Sequence, residues 1–121
     1  MGSNAMVVWT EIPVTDMDKS VAFYSDVFGF EMSIDNSGPN PMANFGSDMT
    51  AVGGHLYPGK PAADGGNTIH LAVPDTLEAA IERCQAAGGE VVSPAISIPP
   101  GRFAYAKDLD GNSLGLFEPA S

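Results

Sequence analysis

Apolar and polar positions follow first a strand-like and then a helix-like spacing in the first part of the chain. Residues 6–15 form a run rich in β-branched side chains, which predicts a strand. Asp16 follows as the expected N-cap of a helix, and Gly29 as the residue that ends it. Between them, four apolar side chains share one helix face: Met17, Val21, Tyr24 and Phe28.

The same order of signals returns in the second part of the chain. Residues 67–73 are predicted as a strand, Asp75 as the helix cap and Gly88-Gly89 as the stop. The apolar stripe of this helix consists of Leu77, Ala80, Ile81, Cys84 and Ala87. Cys84 is therefore expected in the core, where an apolar environment keeps a thiol unreactive.

The two parts align with each other as an internal repeat. A shift of 59 positions places Asp75 on Asp16, and after one inserted residue a shift of 60 places Leu116 on Leu56. Turn residues divide the segment after each predicted helix into three strands. The repeat therefore predicts an α+β fold made of two βαβββ modules.

The length of 121 residues suits a single domain that folds around its own core. We expect residues 1–5 to be an expression-tag remnant, because a second methionine follows them. The domain is then predicted to span residues 6–121, with modules at 6–58 and 66–119 and a joining loop at 58–66.

Composition and charge narrow the expected partners. Five basic against 15 acidic residues give a net charge of −10, which repels nucleic acid phosphates and anionic lipids. No apolar run is long enough for a membrane span, and the single cysteine cannot form an internal disulfide. We expect a cytoplasmic protein that has a small-molecule ligand and binds neither nucleic acid nor membrane.

Two short motifs near the C-terminus fit their catalytic or metal-binding meanings poorly. Gly111-Asn-Ser-Leu-Gly115 has the letters of a serine-hydrolase elbow, but a strand and not a helix is predicted after it. Asp108-Leu-Asp-Gly111 resembles the start of a calcium loop, yet lacks the later acidic ligands. A hairpin turn explains both segments better.

Five segments, in their order along the chain, carry a family resemblance. They are Glu11-Ile-Pro-Val-Thr-Asp16, Phe23-Tyr24, Val27-Phe-Gly-Phe30, Ala87-Gly-Gly-Glu90 and Asp108-Leu-Asp-Gly-Asn112. The chain resembles the vicinal oxygen chelate superfamily, which includes glyoxalase I, dioxygenases and bleomycin resistance proteins. The resemblance implies that the two modules form an incomplete β-barrel around a pocket, usually in a homodimer.

Strand alternation predicts which side chains face that pocket. Ile12 and Val14 are expected to pack on the helix side, as is Leu56, so their neighbours along the strands face the opposite side. The same rule applies to the strands of the second module, provided that no bulge intervenes. The side chains predicted to face the pocket are Trp9, Glu11, Pro13, His55, Tyr57, Thr68, His70, Ala72, Gly115 and Phe117.

The resemblance also implies four metal-ligand positions, on the first, fourth, fifth and eighth predicted strands. They fall on Trp9, His55, Thr68 and Gly115, and of these His55 alone has a good ligand side chain for a transition metal. The sequence thus predicts no glyoxalase-type metal site and no cofactor. A displaced site for iron, manganese, nickel or zinc, built from Glu11, His55 and His70, stays an alternative.

The leading functional hypothesis is a pocket protein that binds a small organic molecule, with lyase or isomerase chemistry carried by Glu11 and His70 as acid and base. Aromatic and polar side chains are expected to bind the ligand: Trp9, Phe45, His55, Tyr57, Thr68, Phe103, Tyr105 and Phe117. One alternative is sequestration of a drug or metabolite without turnover, as in bleomycin resistance proteins. The second alternative is a metal-dependent glyoxalase or dioxygenase that uses the displaced ligands.

Overall fold

The computed structural model describes residues 9–46, 53–64 and 66–120. In that part of the chain, two helices pack on two separate β-sheets that do not close into a barrel. The predicted α+β class and incomplete barrel are confirmed. The expected tag remnant and the predicted start of the first strand, residues 1–8, lie outside the described residues.

The first half of the chain forms one sheet and one helix. Its elements are β1 (Trp9–Val14), α1 (Met17–Phe28), β2 (Ile34–Asp35), β3 (Met42–Asn44) and β4 (Gly53–Pro58). The strand order is β1-β4-β3-β2, so β1 lies at the edge of this sheet. β1 runs parallel to β4 in an unbroken register that places Glu11 opposite His55.

The second half forms the other sheet and the second helix. Its elements are β5 (Ile69–Ala72), α2 (Leu77–Ala86), β6 (Glu90–Val91), β7 (Ile96–Ile98), β8 (Gly101–Lys107) and β9 (Ser113–Pro119). β5 lies at the edge and runs parallel to β9, with His70 opposite Gly115. This half has one strand more than predicted, since β6 and β7 pair separately with β8 and Pro94 between them has no N–H for a ladder.

The first helix begins and ends where the sequence predicts. The Asp16 side chain accepts a hydrogen bond from the backbone N–H of Lys19 at 3.1 Å, which satisfies one of the free donors of the first turn. Gly29 adopts a left-handed conformation, with φ of 74°, and its N–H bonds to the carbonyl of Ser25. Glycine takes this conformation without the steric cost that a side chain would bring.

The predicted cap of the second helix is wrong by one residue. Thr76, not Asp75, is the N-cap, and its hydroxyl accepts a hydrogen bond from the N–H of Ala79. Asp75 instead accepts two hydrogen bonds from Arg83, and this bidentate pair draws its carboxylate away from the helix terminus. The helix ends at Ala86, just before the predicted glycine stop.

The core lies between the helices and the helix-facing sides of the two sheets. Strand residues that alternate as predicted are almost fully buried there: Ile12, Val14, Leu56, Leu114 and Leu116. Cys84 is also fully buried, as expected from its place on the stripe of α2, and burial raises its pKa to about 11. The alternate residues of β1 and β5 therefore face away from this core.

The turn between β8 and β9 fastens the second sheet to the first half of the chain. The buried Asp108 accepts hydrogen bonds from the N–H groups of Asp110 and Asn112, which define the turn. It also accepts a 2.7 Å hydrogen bond from the Tyr24 hydroxyl of α1, while the Asn112 amide donates to the carbonyl of Pro13. We call Asp108, Asp110 and Asn112 the Asp108 clamp.

The Asp108 clamp confirms the interpretation of the Asp108–Asn112 segment as a hairpin turn. Ser113 begins a strand, so the segment lacks the helix that a hydrolase elbow requires. None of the described helices is both long and apolar enough to cross a bilayer.

Candidate functional site

A cleft separates the two sheets along the facing edge strands β1 and β5. It contains a cavity of about 670 Å³ and a neighbouring one of about 430 Å³. Trp9, Thr10, Ile69 and His70 line both cavities, so the two form adjoining parts of one cleft. A space of this size can hold a small organic molecule.

The first sheet contains a chain of three side chains joined by two polar contacts. The indole N–H of Trp9 donates a 3.0 Å hydrogen bond to Nδ1 of His55. On the other side of the imidazole, Nε2 of His55 lies 3.9 Å from a carboxylate oxygen of Glu11. His55 is buried, with 8% exposed, while the Glu11 side chain is 64% exposed and lines the larger cavity.

The Trp9 contact fixes the tautomer of the neutral His55 ring. An indole nitrogen can only donate, so Nδ1 must accept and must carry no proton. In the neutral imidazole the single proton then lies on Nε2, which is the nitrogen that faces Glu11. The arrangement places an N–H donor beside the carboxylate.

The second sheet presents the His70 ring to the cleft, and the predicted ligand-binding residues Phe103, Tyr105 and Phe117 pack around that ring without lining either cavity. The His70 ring lies against Gly115, where an added Cβ would come within 2.0 Å of Nδ1. Three rings surround it, with centroid distances of 4.9 Å to Phe103, 6.0 Å to Tyr105 and 6.2 Å to Phe117. We call these three rings the aromatic cradle of His70. The absence of a side chain at Gly115 leaves the space that the imidazole fills.

The internal repeat explains why the two walls differ. Glu11 and His70 are opposite His55 and Gly115, respectively, in the equivalent parallel strand pairs. Where the first half has a carboxylate facing an imidazole, the second half has an imidazole folded over a glycine. The repeated scaffold therefore presents the Glu11 carboxylate from one edge strand and the His70 imidazole from the other to the same cleft.

The structure does not pair Glu11 with His70. Both line the larger cavity, but within the described residues no hydrogen bond joins them, and the imidazole close to Glu11 is that of His55. Glu11 and His70 thus share the cavity without a direct contact, and their action as base and acid on a bound molecule stays a prediction. The reason for the missing contact is the parallel pairing of β1 with β4, which places His55 directly beside Glu11.

The other predicted ligand-binding residues lie in different surroundings. Thr68 lines the larger cavity and its hydroxyl pairs with that of Ser113. Tyr57 is half-buried beside His55, with ring centroids 6.3 Å apart. Phe45 is buried, stacks with Tyr24 and reaches the smaller cavity with its remaining surface.

Several cavity residues were not predicted from the sequence. They are Thr10, Ala62, Gly66, Asn67, Asn112 and Ser113. Most come from loops and strand ends, where strand alternation makes no prediction. Asn112 is the last residue of the Asp108–Asn112 segment that carries the family resemblance, and its position beside Pro13 is set by the clamp.

The charge of the cleft is set by Glu11. Among the described residues that line either cavity, none is lysine or arginine. The arginines pair elsewhere, Arg83 with Asp75 and Arg102 with Glu78 and Glu118. The site therefore favours neutral or cationic ligands over anionic ones.

The residues of the cleft do not fit a metal ion. At the positions that the family resemblance implies, Trp9, Thr68 and Gly115 offer no good ligand atom for a transition metal. The displaced set of Glu11, His55 and His70 is not gathered either, because the described residues contain no group of three His, Cys, Asp or Glu side chains that could hold a metal. We therefore derive no step through a metal.

Comparison with known proteins identifies the family. The model of the Glyoxalase/Bleomycin resistance protein/Dioxygenase superfamily matches residues 6–116. The chain belongs to this superfamily, which confirms the resemblance found in its sequence.

Individual relatives match this chain over different shares of their own lengths. A protein named as a glyoxylase, CFP32, from Mycobacterium bovis is 31% identical over 117 residues, which are 94% of this chain and 44% of that protein. The chain thus spans less than half the length of this relative. A glyoxylase-like domain-containing protein of Didymella fabae is 30% identical, over 88% of each chain.

Among solved structures, TnmS3, an antibiotic binding protein from Streptomyces sp. CB03234, is 25% identical, with a TM-score of 0.66. The match covers 99% of this chain and 100% of that one.

Proposed function

We propose that this protein binds a small organic molecule in the cleft between its two sheets. The observation that carries the proposal is that Trp9 and His70, from the edge strands of different sheets, line the same two cavities. Two rings on opposite walls can hold a flat ligand between them. The likeness to TnmS3, an antibiotic binding protein, supports the same type of function.

The ligand class follows from the charge and the walls of the cleft. Glu11 is the exposed carboxylate at its wall, and no lysine or arginine is among the described lining residues. Aromatic rings also attract cations through their π faces. The proposed ligand is therefore a flat, neutral or cationic molecule, bound through aromatic stacking and through Glu11.

Binding can be measured at the cleft itself, because Trp9 is the single tryptophan of the chain. Its indole N–H gives one resonance in a nitrogen–proton correlation spectrum. Titration with benzyltrimethylammonium, a cationic aromatic probe, is expected to shift this resonance. Benzenesulfonate, an anionic probe of similar size, is expected to shift it much less. Equal binding of the two probes would contradict the proposed ligand class.

A pair of matched variants isolates the carboxylate. Glu11→Gln is expected to remove most of the preference for the cationic probe, because it deletes the charge at the cleft. Glu82→Gln removes the same charge at an exposed position on α2, whose residues line neither cavity, and should leave the preference unchanged. If both variants behave alike, the preference comes from the overall charge of the protein.

We also propose that the protein is a homodimer. Trp9 is 39% and Tyr105 is 37% exposed in the single chain; Trp9 lines the proposed site, and Tyr105 packs against His70, which also lines it. Exposed large apolar side chains commonly mark a contact surface. Light scattering should give twice the 12.5 kDa of one chain, and a mass of one chain at all concentrations would refute this part.

A cleft of this kind is compatible with sequestration of a ligand and with catalysis. The observation that favours catalysis as a second candidate is the contact between Glu11 and His55.

A further inference from the structure

We infer that the cleft accepts an elongated, flat cation that spans both cavities, and that Gly115 determines this length by leaving room for the His70 ring against the second sheet. The ligand class is a molecule of two or more fused rings with an ammonium group at one end. Because this ligand occupies the same cleft, the inference rests on the proposed function and adds the length and the orientation of the ligand.

The two cavities differ in their chemistry. The residues that line only the smaller cavity have apolar side chains or none: Phe30, Phe45, Gly53, Leu71 and Ala72. The polar residues that line only the larger cavity are Glu11, Asn67, Thr68, Asn112 and Ser113. A few polar groups within a mainly apolar pocket fix the orientation of a ligand. The fused rings of the ligand therefore belong in the smaller cavity and its ammonium group in the larger one.

Glu11 determines the orientation of the ligand more than its affinity. The Glu11 side chain is 64% exposed, and an ion pair with an exposed carboxylate contributes little free energy. Burial of apolar ring surface contributes much more. Phe30 and Phe45, which stack with ring centroids 5.0 Å apart, provide such a surface in the smaller cavity. Most of the affinity is therefore gained only by a ligand that reaches past the larger cavity.

The junction between the cavities lies at the His70 ring. Trp9, Thr10, Ile69 and His70 line both cavities, so a ligand that spans the cleft must pass along them. The position of the His70 ring therefore decides whether the two cavities are connected.

Gly115 is the residue that sets this position. An added Cβ there would come within 2.0 Å of Nδ1 and 2.5 Å of Cε1 of His70, far inside van der Waals contact. Other sides of the ring are occupied by its aromatic cradle. A ring displaced by a side chain at this position would turn into the cleft, which is the side that the cradle leaves open.

The backbone does not require a glycine at this position. Gly115 lies in the regular strand β9, and it is not among the glycines with positive φ. A glycine within a strand weakens the strand and commonly marks a close approach of another group. Here the approaching group is the His70 imidazole. Gly115 thus serves space and not backbone conformation, and it is a specificity-determining residue that acts through His70.

Three cations of increasing length test the inference: benzyl-, 2-naphthylmethyl- and 2-anthrylmethyl-trimethylammonium. They have the same charged group and differ by one fused ring at each step. In titrations followed by the Trp9 indole resonance, the three-ring probe should bind at least about tenfold more tightly than the one-ring probe. The side-chain NMR signals of Phe30 and Phe45 should move with the three-ring probe and not with the one-ring probe. Equal affinities, or unmoved phenylalanine signals, would overturn the inference.

Gly115→Ala should shorten the ligand that the cleft accepts. We expect its affinity for the three-ring probe to fall about tenfold or more, because the extra rings lose their burial, and its affinity for the one-ring probe to change less than about twofold. Gly53→Ala is the matched control, since it adds a methyl group to the cleft lining in ordinary contact with Trp9, at 3.9 Å. It should change neither affinity by more than about twofold. Equal losses for the two probes in folded Gly115→Ala would contradict a closed junction.

A double-variant cycle separates closure of the junction from general damage to the fold. His70→Ala leaves no ring to displace, so adding Gly115→Ala in that background should change the affinity for the three-ring probe less than about twofold. A tenfold loss in that background would show that Gly115 does not act through His70.

The orientation of the ligand is tested with the same probes. Glu11→Gln should weaken the one-ring and three-ring probes by similar factors, because the ammonium group lies at Glu11 in both complexes. A loss confined to the one-ring probe would overturn the orientation. If none of the three probes shifts the Trp9 resonance, the proposed function is wrong and the inference falls with it. If the one-ring probe binds and added rings bring no gain, the binding function stands and the inference about length is overturned.

Discussion

The hydrogen bond from Tyr24 to Asp108 is expected to contribute measurably to the stability of the cleft-forming fold. Tyr24 is fully buried, Asp108 is 6% exposed, and their oxygens are 2.7 Å apart. Tyr24→Phe keeps the ring and its stacking on Phe28 but removes the donor. A hydrogen bond to a charged acceptor contributes about 1.5–3 kcal/mol.

The remaining hydrogen-bond partners of Asp108 determine how much stability Tyr24→Phe loses within this range. Its carboxylate still accepts hydrogen bonds from the N–H groups of Asp110 and Asn112 and from the Asn112 side-chain amide. Since the acceptor is not left without partners, we expect a loss of about 1.5–2 kcal/mol in the free energy of unfolding.

Urea unfolding followed by circular dichroism measures this loss. The midpoint should fall while the denaturant slope stays unchanged, because the unfolded surface is the same. Tyr57→Phe is the matched control: within the described part of the chain its hydroxyl makes no hydrogen bond, so a change below about 0.5 kcal/mol is expected. A loss for Tyr24→Phe as small as that of the control would refute the reasoning.

The pH dependence of the free energy of unfolding is a second test of the hydrogen bond between Tyr24 and Asp108. Burial, followed by the negative charge of Asp108, raises the pKa of Tyr24 well above its usual value. In the unfolded chain a tyrosine ionises near pH 10, so the contribution of Tyr24 is complete below about pH 10 and is lost as the pH rises further. The stability gap between wild type and Tyr24→Phe should therefore narrow above pH 10. A constant gap would contradict a buried, protonated hydroxyl.

Three further predictions concern the glycine beneath His70, the buried thiol and an exposed ion pair. Gly115→Ala places a Cβ within 2.0 Å of the His70 ring, so the ring should leave its aromatic cradle, with its ring-current-shifted NMR signals lost and about 1–3 kcal/mol of stability removed. Cys84, with a pKa raised by burial to about 11, should react with a thiol reagent at neutral pH only after urea unfolds the protein; rapid labelling of the native state would contradict its burial. The hydrogen bond from Arg102 lowers the pKa of Glu78 to about 2, so this contribution is present above about pH 4.3 and is lost as the pH falls toward 2. Arg102→Gln should lose less stability than wild type over that interval in an acid titration.

The helix boundaries show how much of the fold local sequence signals can predict. Asp16 and Gly29 were predicted correctly, because capping depends on hydrogen bonds within three or four residues. The cap of α2 was missed by one position, because Asp75 is engaged by the side chain of Arg83. That competing contact was not visible in the pattern of apolar positions.

The contact between Glu11 and His55 shows which part of the site local sequence signals could not predict. Strand alternation predicted that Glu11 and His55 face the same side, and the unbroken register of β1 with β4 bears this out. It did not predict that these two are neighbours, because Glu11 and His55 are 44 positions apart along the chain. The choice of partner depends on which strands pair, and that is a long-range property.

The sequence by itself determined the α+β class, the duplicated strand and helix pattern, the buried faces and the net negative charge. These follow from the spacing of apolar side chains and from turn and cap chemistry, which act over a few residues. Only the tertiary structure decided that β1 and β5 face each other across a cleft, that His55 lies beside Glu11, and that His70 fills the space over Gly115. Such contacts depend on parallel strand pairing and on the Asp108 clamp, which bring together residues that are distant along the chain.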